Sequence, residues 1–556
     1  MHPAIRFTSV ALVGFQIVAA PSSFAQETQK PAEKPKPSGP VPSGPQTDGA
    51  FRKVILDGDL LVNGEWQDTV KDPMEMAVTP DGGVLWAERA GVVKMWKPDS
   101  KSTVVIGKVK VFDGLEDGLL GITVDPNFAK NSWVYLNHST PETTKDEKGH
   151  KAGIIRVSRF TLKGDQLDMD SEKKILDIPT QRDECCHVGG SLGFDAAGNL
   201  YVAIGDNTNP FDSDGFSPTD ERPGRSAWDA QKSSANMNDL RGGISRIHPE
   251  PDGTYTIPKG NLFPPGTPGT RPEVYVKGTR NGYRLSVDQR TGILYWGDVG
   301  PDAGGFDQKR GPGGFDAVMQ AKQPGFFGWP YSRGDNKAYA KVDFVARAEY
   351  SKARAEYDKA KSAHDKAVKA AKEKGEPAPG PFERKPPTSY TAGEPKFFEP
   401  AKPINNSPNN TGVKELPSTQ PAFIWYPNGQ STRFPVVNGG GGRTAMAGPV
   451  YYYDENLKSP HKLPKEFDRT LFIYEWSRNW IIAVHLDEQS NIAKDASGKP
   501  RMERFCPNMT FKRPMDMELG PDGCLYLIEF GTAWGNNKDT QIVRIEYTGA
   551  ADHAAK

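Results

Sequence analysis

One hydrophobic and polar pattern recurs along the chain: an alternating strand, a tight turn carrying Asp or Gly, then a second strand rich in β-branched and aromatic residues. It occurs at residues 75–89, 121–139, 192–206, 285–300 and 517–531, with a more divergent copy at 467–487. Several copies are followed by a closing strand of the Val-x-Arg-Ile type, at Gly91–Trp96, Ile154–Phe160, Gly243–His248 and Gln541–Tyr547. Four short strands per unit, repeated six times around an axis, predict an all-β six-bladed β-propeller. A sandwich or barrel also repeats strands. Here, however, the spacing between units varies from about 45 to over 100 residues while the unit persists, as when insertions sit on loops outside the blades.

One insertion has a different period. Residues 341–374 lack Gly and Pro, are rich in Ala, Lys and Glu, and set Tyr350, Ala353, Tyr357, Ala360, His364, Ala367 and Ala371 at heptad spacing. That predicts a helix, with His364 as a packed histidine in its seam rather than a ligand. The following stretch to Pro408 is Pro-rich and reads as irregular. The expected layout is a propeller over 51–548, a helical and Pro-rich insertion over about 338–415, and a short tail at 549–556.

Residues before 51 do not fit the repeat. An apolar run from Ser9 to Ala20 followed by Ser23-Phe24-Ala25 predicts a signal peptide over 1–25, cleaved before Gln26. Residues 26–50 are Pro-rich and read as a linker. No later stretch approaches the roughly 18 apolar residues that span a bilayer, so the expected location is the periplasm or the medium, with no membrane span. Lys+Arg 70 against Asp+Glu 70 leaves no net charge, which removes the electrostatic footprint of a nucleic-acid binder and points to a small-molecule partner.

The candidate chemistry begins at His187. An imidazole ahead of the pair Gly189-Gly190 can approach a flat ligand without a neighbouring Cβ in the way, and histidine exchanges a proton near neutral pH. Cys185 and Cys186 immediately precede it, either as a vicinal disulfide or as two small buried thiols. Cys506 and Cys524 offer a second pairing that spacing does not decide. Trp329 reads as packing between blades.

The order of motifs adds to this. His187 and its Gly pair before a strand ending Ile204-Gly205-Asp206, Glu116-Asp117-Gly118-Leu119-Leu120-Gly121 before Asp125-Pro126, Gly278-Thr279-Arg280-Asn281, Gly300-Pro301 and Gly328-Trp329-Pro330 occur in the order of the glucose/sorbosone dehydrogenase family, which the chain resembles over roughly 51–548. The resemblance implies a quinoprotein dehydrogenase that oxidises a sugar-like alcohol or aldehyde hydrate by hydride transfer to pyrroloquinoline quinone. An external electron acceptor, a cytochrome c or a quinone, would follow. By position, it implies His187 as general base with Arg280 as its catalytic companion. Cofactor contacts would come from Glu116, Asp206, Arg280, Asn281, Arg478 and Arg513. Gly300 and Pro301 would be carbonyl ligands of Ca2+, a hard cation that takes oxygen ligands. The chain departs from the family pattern at four places. Glu116 stands in place of Gln, Gly282 in place of Pro, Ser477 in place of Lys and Met515 in place of Arg, so that, with Arg513 retained, Arg478 and Arg443 would have to substitute for the two lost cations at the quinone's carboxylates. Two other readings share the fold: a metal-dependent, lactonase-like hydrolase using Glu116, Asn281 and Asp206, and a non-catalytic carbohydrate-binding propeller.

Overall fold

Each recurrent unit folds as a hairpin within a four-stranded antiparallel sheet, and six such sheets form the six blades of a β-propeller. This is a computed structural model, describing residues 46–549 apart from 64, 146, 148, 388–393 and 440–441. The expected signal peptide, most of the linker and all but the first residue of the tail lie outside the described residues.

Blade 1 is Pro73–Val78, Val84–Glu88, Val92–Lys97 and Ser102–Lys108. Blade 2 is Leu119–Val124, Trp133–Ser139, Lys151–Lys163 and Gln166–Gln181. Blade 3 is Gly189–Phe194, Leu200–Ile204, Gly243–Pro249 and Val274–Lys277. Blade 4 is Gly282–Val287, Leu294–Asp298, Phe315–Ala321 and Ile424–Pro427. Blade 5 is Ala445–Tyr451, Thr470–Glu475, Trp480–His485 and Met502–Phe505. The divergent copy at 467–487 therefore covers the second and third strands of its blade, and the Val-x-Arg-Ile strands are third strands rather than closing ones.

Blade 6 is assembled from both ends of the described chain. Pro514–Leu519, Leu525–Glu529 and Gln541–Tyr547 are joined by Phe51–Gly58, in the register Phe51 to Tyr547 and Gly58 to Gln541. The short strand Gln46–Asp48 adds a fifth, so strand structure reaches into the segment read as linker. Lys53 and Glu529, both buried, pair at 2.9 Å across this closure.

The first strands of all six blades touch one another in sequence around the ring and form its inner wall. Their successors run back antiparallel, so the start of each first strand and the end of each second strand share one face of the propeller. In four blades that meeting point pairs the first residue of the inner strand with a buried carboxylate: Pro73 with Glu88, Gly282 with Asp298, Ala445 with Glu475 and Pro514 with Glu529. These acids accept backbone N–H groups from the turn that enters the inner strand, and so fix it. Lys71 donates to Glu88, Arg280 and Asn281 to Asp298, Thr444 to Glu475, and Lys512 to Glu529.

The helical insertion spans Phe344–Lys374. The Asp343 side chain caps its first turn at Val345 and Ala346, and Gly375, at φ +68°, ends it in the left-handed conformation that glycine adopts without a Cβ clash. His364 in its seam donates through Nε2 to the Gly380 carbonyl at 2.7 Å and packs on Phe382.

Candidate active site

The residues singled out in the sequence lie in turns that enter successive inner strands: Glu116 before Leu119, His187 before Gly189, Arg280 and Asn281 before Gly282, Arg443 before Ala445 and Arg513 before Pro514. The propeller thereby brings them to one face from five blades.

The turn before blade 3 is built differently from the others. Cys185 and Cys186 are joined in a vicinal disulfide, and His187 follows at φ +62°, a conformation costly for a residue with a side chain. The neighbouring chain accommodates it because Gly205 has no Cβ; one built there would sit 2.2 Å from the His187 carbonyl oxygen. The Glu116 side chain, exposed at the mouth, accepts the His187 backbone N–H at 2.7 Å. The imidazole is buried, with Nδ1 2.7 Å from Asp206 Oδ1, while Nε2 has no hydrogen-bond partner among the described residues. A carboxylate at Nδ1 selects the tautomer protonated there and leaves the Nε2 lone pair free to accept a proton.

Asp206 is fully buried, and both its oxygens are used. Oδ1 also accepts the Thr208 N–H at 3.0 Å, and Oδ2 accepts Trp329 Nε1–H at 2.8 Å. This corrects its expected role: it holds the imidazole and offers no free face to a cofactor. Trp329 packs, as read from the sequence, but its indole N–H is also the donor that fixes Asp206. Sequence reasoning missed that second role because only the fold brings blade 4's Trp-Pro turn over the end of the Leu200–Ile204 strand.

Arg280 and Asn281 stand beside this dyad. Their backbone N–H groups bind Asp298, and Arg280 Nη1 reaches the Val299 carbonyl at 3.2 Å. Arg280 Nε and Asn281 Oδ1 are buried and unpartnered among the described residues. Orphaned polar atoms of opposite character, one donor and one acceptor, are what a bound polar ligand would satisfy. They fit the quinone that the sequence resemblance implies.

The calcium expectation does not fit. The Pro301 carbonyl, one of the two expected ligands, already accepts Arg443 Nη2 at 2.7 Å. The same guanidinium donates through Nη1 to the Gly314 carbonyl at 2.9 Å and through Nε to Asp316 at 3.1 Å, all of it buried. Asp316 in turn accepts the backbone N–H groups of Gly300 and Ala445. A Cβ at Gly314 would lie 1.7 Å from the Pro301 oxygen, so this close seating requires glycine there. A divalent ion on the Pro301 oxygen would face a buried guanidinium bonded to that same atom, a repulsion that low dielectric magnifies. Two of the five guanidinium N–H donors of Arg443 are left without an acceptor among the described residues.

Arg478 also departs from expectation. Its Nε, Nη1 and Nη2 donate to the carbonyls of Gly442, Val437, Pro427 and Asn428 while its plane lies over Tyr426, so every nitrogen is engaged by the protein's own backbone. Arg513 is half-buried between Trp476 and Trp534, with Nε on the Thr532 carbonyl and no acceptor for its terminal nitrogens among the described residues. Cys506 and Cys524 are separate buried thiols, each pushed far up by burial, and do not form the second pair. Among the described residues no three His, Cys, Asp or Glu side chains converge as metal ligands, and of Glu116, Asn281 and Asp206, Asp206 has both oxygens engaged by the protein and Glu116 holds the His187 N–H. No helix is long and apolar enough to cross a membrane among the described residues.

The family profile described as Glucose / Sorbosone dehydrogenase matches residues 70–372, more than half of the chain. The chain is similar to the aldose sugar dehydrogenase YliI of Escherichia coli, 24% identical over 48% of this chain and 60% of that protein. It is also similar to quinoprotein glucose dehydrogenase B of Acinetobacter calcoaceticus, 25% identical over 49% of this chain and 53% of that one. The matches thus span little more than half the length of these relatives. Among solved structures, the soluble aldose sugar dehydrogenase of Escherichia coli in its apo-form superposes with a TM-score of 0.51 at 16% identity, covering 89% of this chain and 99% of that one, a likeness of fold.

Proposed function

We propose, from the premise that this chain belongs to the glucose/sorbosone dehydrogenase family, that it is a quinoprotein dehydrogenase oxidising a sugar or sugar-like alcohol. The observation that carries the reading is the buried His187–Asp206 pair with Nε2 unpartnered at the face where five blades converge. Removing the hydroxyl proton as the carbonyl forms is what lets hydride leave the alcohol carbon, and a neutral imidazole accepts it. His187 takes that proton at Nε2. Asp206, held by Thr208 and Trp329, keeps the ring in the accepting tautomer and offsets the charge it gains. Glu116 fixes the His187 main chain.

Pyrroloquinoline quinone, when bound, supplies the two-electron acceptor. Arg280 and Asn281 would hold it with their unsatisfied atoms, and the two spare donors of Arg443, with Arg513, would meet its carboxylates. No step depends on calcium. The substrate is proposed to be a small carbohydrate, the electrons to pass to an external acceptor, and the chain to be exported after loss of residues 1–25. Intact-mass measurement on protein from its native compartment, finding Met1 retained, would overturn export.

The test is quinone uptake followed by absorbance, then turnover on a panel of aldoses with an artificial acceptor. Uptake unchanged by a calcium chelator, with turnover on at least one aldose, is the expected result; no uptake under any condition would overturn the reading. A binding propeller without catalysis is favoured by the complete engagement of Arg478 and by the absence of a cation at Ser477 and Met515. Sugar binding without quinone uptake would support it.

A further inference from the structure

We propose that a second cleft, behind the disulfide turn, binds a polyhydroxylated carboxylate, a sugar acid, with Lys232 as its counter-charge. The cleft has a volume of about 580 Å3 and is lined among others by Lys232, Arg241, Asp183, Glu184, Ser226 and Trp228. It is bounded by the outer strands of blade 2, by Asp183 and Glu184 of the turn that leads into His187, and by the loop following Asn209.

Lys232 is more than nine-tenths buried, yet its side-chain ammonium makes no hydrogen bond or ion pair among the described residues. Its neighbours are different. Lys277, equally enclosed, donates to the carbonyls of Ser233, Asp239 and Arg241. Arg241 is bonded twice over to Asp239 and once to Asn207. Of three adjacent cations, two are satisfied internally and only Lys232 opens on the cleft without an acceptor. Burying an ammonium without a partner is unfavourable, so such a group persists where a ligand completes it. Burial, reinforced by Arg241, pushes its amine down to about 7, in keeping with an amine awaiting a counter-charge.

The rest of the cleft selects the ligand. Asp183 and Glu184 accept hydroxyl groups, the Ser226 hydroxyl can donate or accept, and Trp228 gives an apolar wall. A carboxylate for Lys232 and several hydroxyls for the acidic wall describe a sugar acid better than a bare anion, because the hydroxyls donate to Asp183 and Glu184 and offset the repulsion that a bare anion would meet there. The Gln181 side chain ties this wall to the Glu184 backbone and to Asn207, next to Asp206, so an occupant would sit one hydrogen-bonded layer from the His187 dyad.

The test is isothermal titration of the full chain, free of quinone, with D-gluconate, acetate, inorganic phosphate and D-glucose. Because no quinone is present, its outcome is separate from that of the dehydrogenase reading. D-gluconate is expected to bind one to one, acetate and phosphate more weakly, and glucose not measurably. Lys232→Met should weaken gluconate by at least about tenfold, the loss of one charge-assisted bond, while its thermal midpoint equals or exceeds the wild type because an uncompensated buried amine is removed. Absence of gluconate binding, equal binding of phosphate, or unchanged affinity in Lys232→Met would each overturn the proposal. If Lys232→Met proves unstable, Ser226→Ala, at an exposed position, gives an independent reading through a selective loss of gluconate over acetate.

Discussion

The turns that enter blade 3 and blade 5 are the same piece of architecture put to different ends. In blade 5 the buried acid Glu475 lies directly opposite the first residue of the inner strand, accepts the backbone N–H groups of Thr444 and Arg478, and ends in a cage of carbonyls around the Arg478 guanidinium. In blade 3 the residue opposite Gly189 is Ile204, and the acid comes two positions later as Asp206. Displaced by those two residues, the carboxylate takes an imidazole ring as its partner, and the ring's outer nitrogen has none. The comparison teaches that a scaffold carboxylate becomes part of a reactive pair when it exchanges the N–H groups of the strand-entry turn for an imidazole, keeping only the Thr208 N–H from the main chain.

The comparison can be broken most severely at His187. His187→Gln should retain quinone uptake but lose about two to four decades of turnover, the usual size of a general-base contribution. Steady-state rates beside absorbance-monitored uptake check it, and an active variant would make blade 3 no more reactive than blade 5. Asp206→Asn should cost about ten- to a hundredfold, because an amide in place of the carboxylate no longer fixes the accepting tautomer. Here kcat should fall with KM little changed.

In blade 5 the effect should be on stability alone. Arg478→Met leaves up to four carbonyls without their donor and should cost about 2–4 kcal/mol in denaturant unfolding, with quinone uptake per folded molecule unchanged. Reduced uptake in folded material would return Arg478 to the cofactor.

The smallest effect concerns Glu475. Burial pushes its carboxyl up to about 7, so between the ordinary carboxylate range and pH 7 the unfolded chain gives up a proton that the folded chain keeps. Its contribution to stability is therefore full at about pH 4 to 5 and is lost as pH rises through 7, lowering the thermal midpoint by a few degrees. Glu475→Gln should flatten that slope, although it lowers stability throughout because an amide cannot accept both N–H groups. A slope unchanged in the variant would assign the titration elsewhere.

Much of this was legible in the sequence. The period-two hairpins carried the six blades, and the helix announced itself through Ala-rich heptads ended by Gly375. His187 is legible from its place before Gly189-Gly190 and the inner strand they open, whereas Asp206 and Arg280 follow from the family resemblance. What was not legible depended on contacts between distant segments. Arg443 and Pro301 are far apart in the chain, and nothing local indicates that a guanidinium occupies the carbonyl expected for calcium. Arg478 read as a spare cation because the four carbonyls that consume it come from three separate stretches. The divergent copy at 467–487 was found out of phase because both of its strands are fully buried and lack alternation.

The closure of blade 6 has a consequence in time. Arg52 and Glu546 are bonded across 494 positions of sequence, so the strand Phe51–Gly58 is among the first described segments to be made and among the last to find its partner. Throughout synthesis of the five blades between, its side that meets Gln541–Tyr547 remains an open edge, the situation in which strands pair with the wrong chain. Its charges at Arg52, Lys53 and Asp57 suit that long wait, keeping the segment in water until Gln541–Tyr547 emerges and the ring shuts.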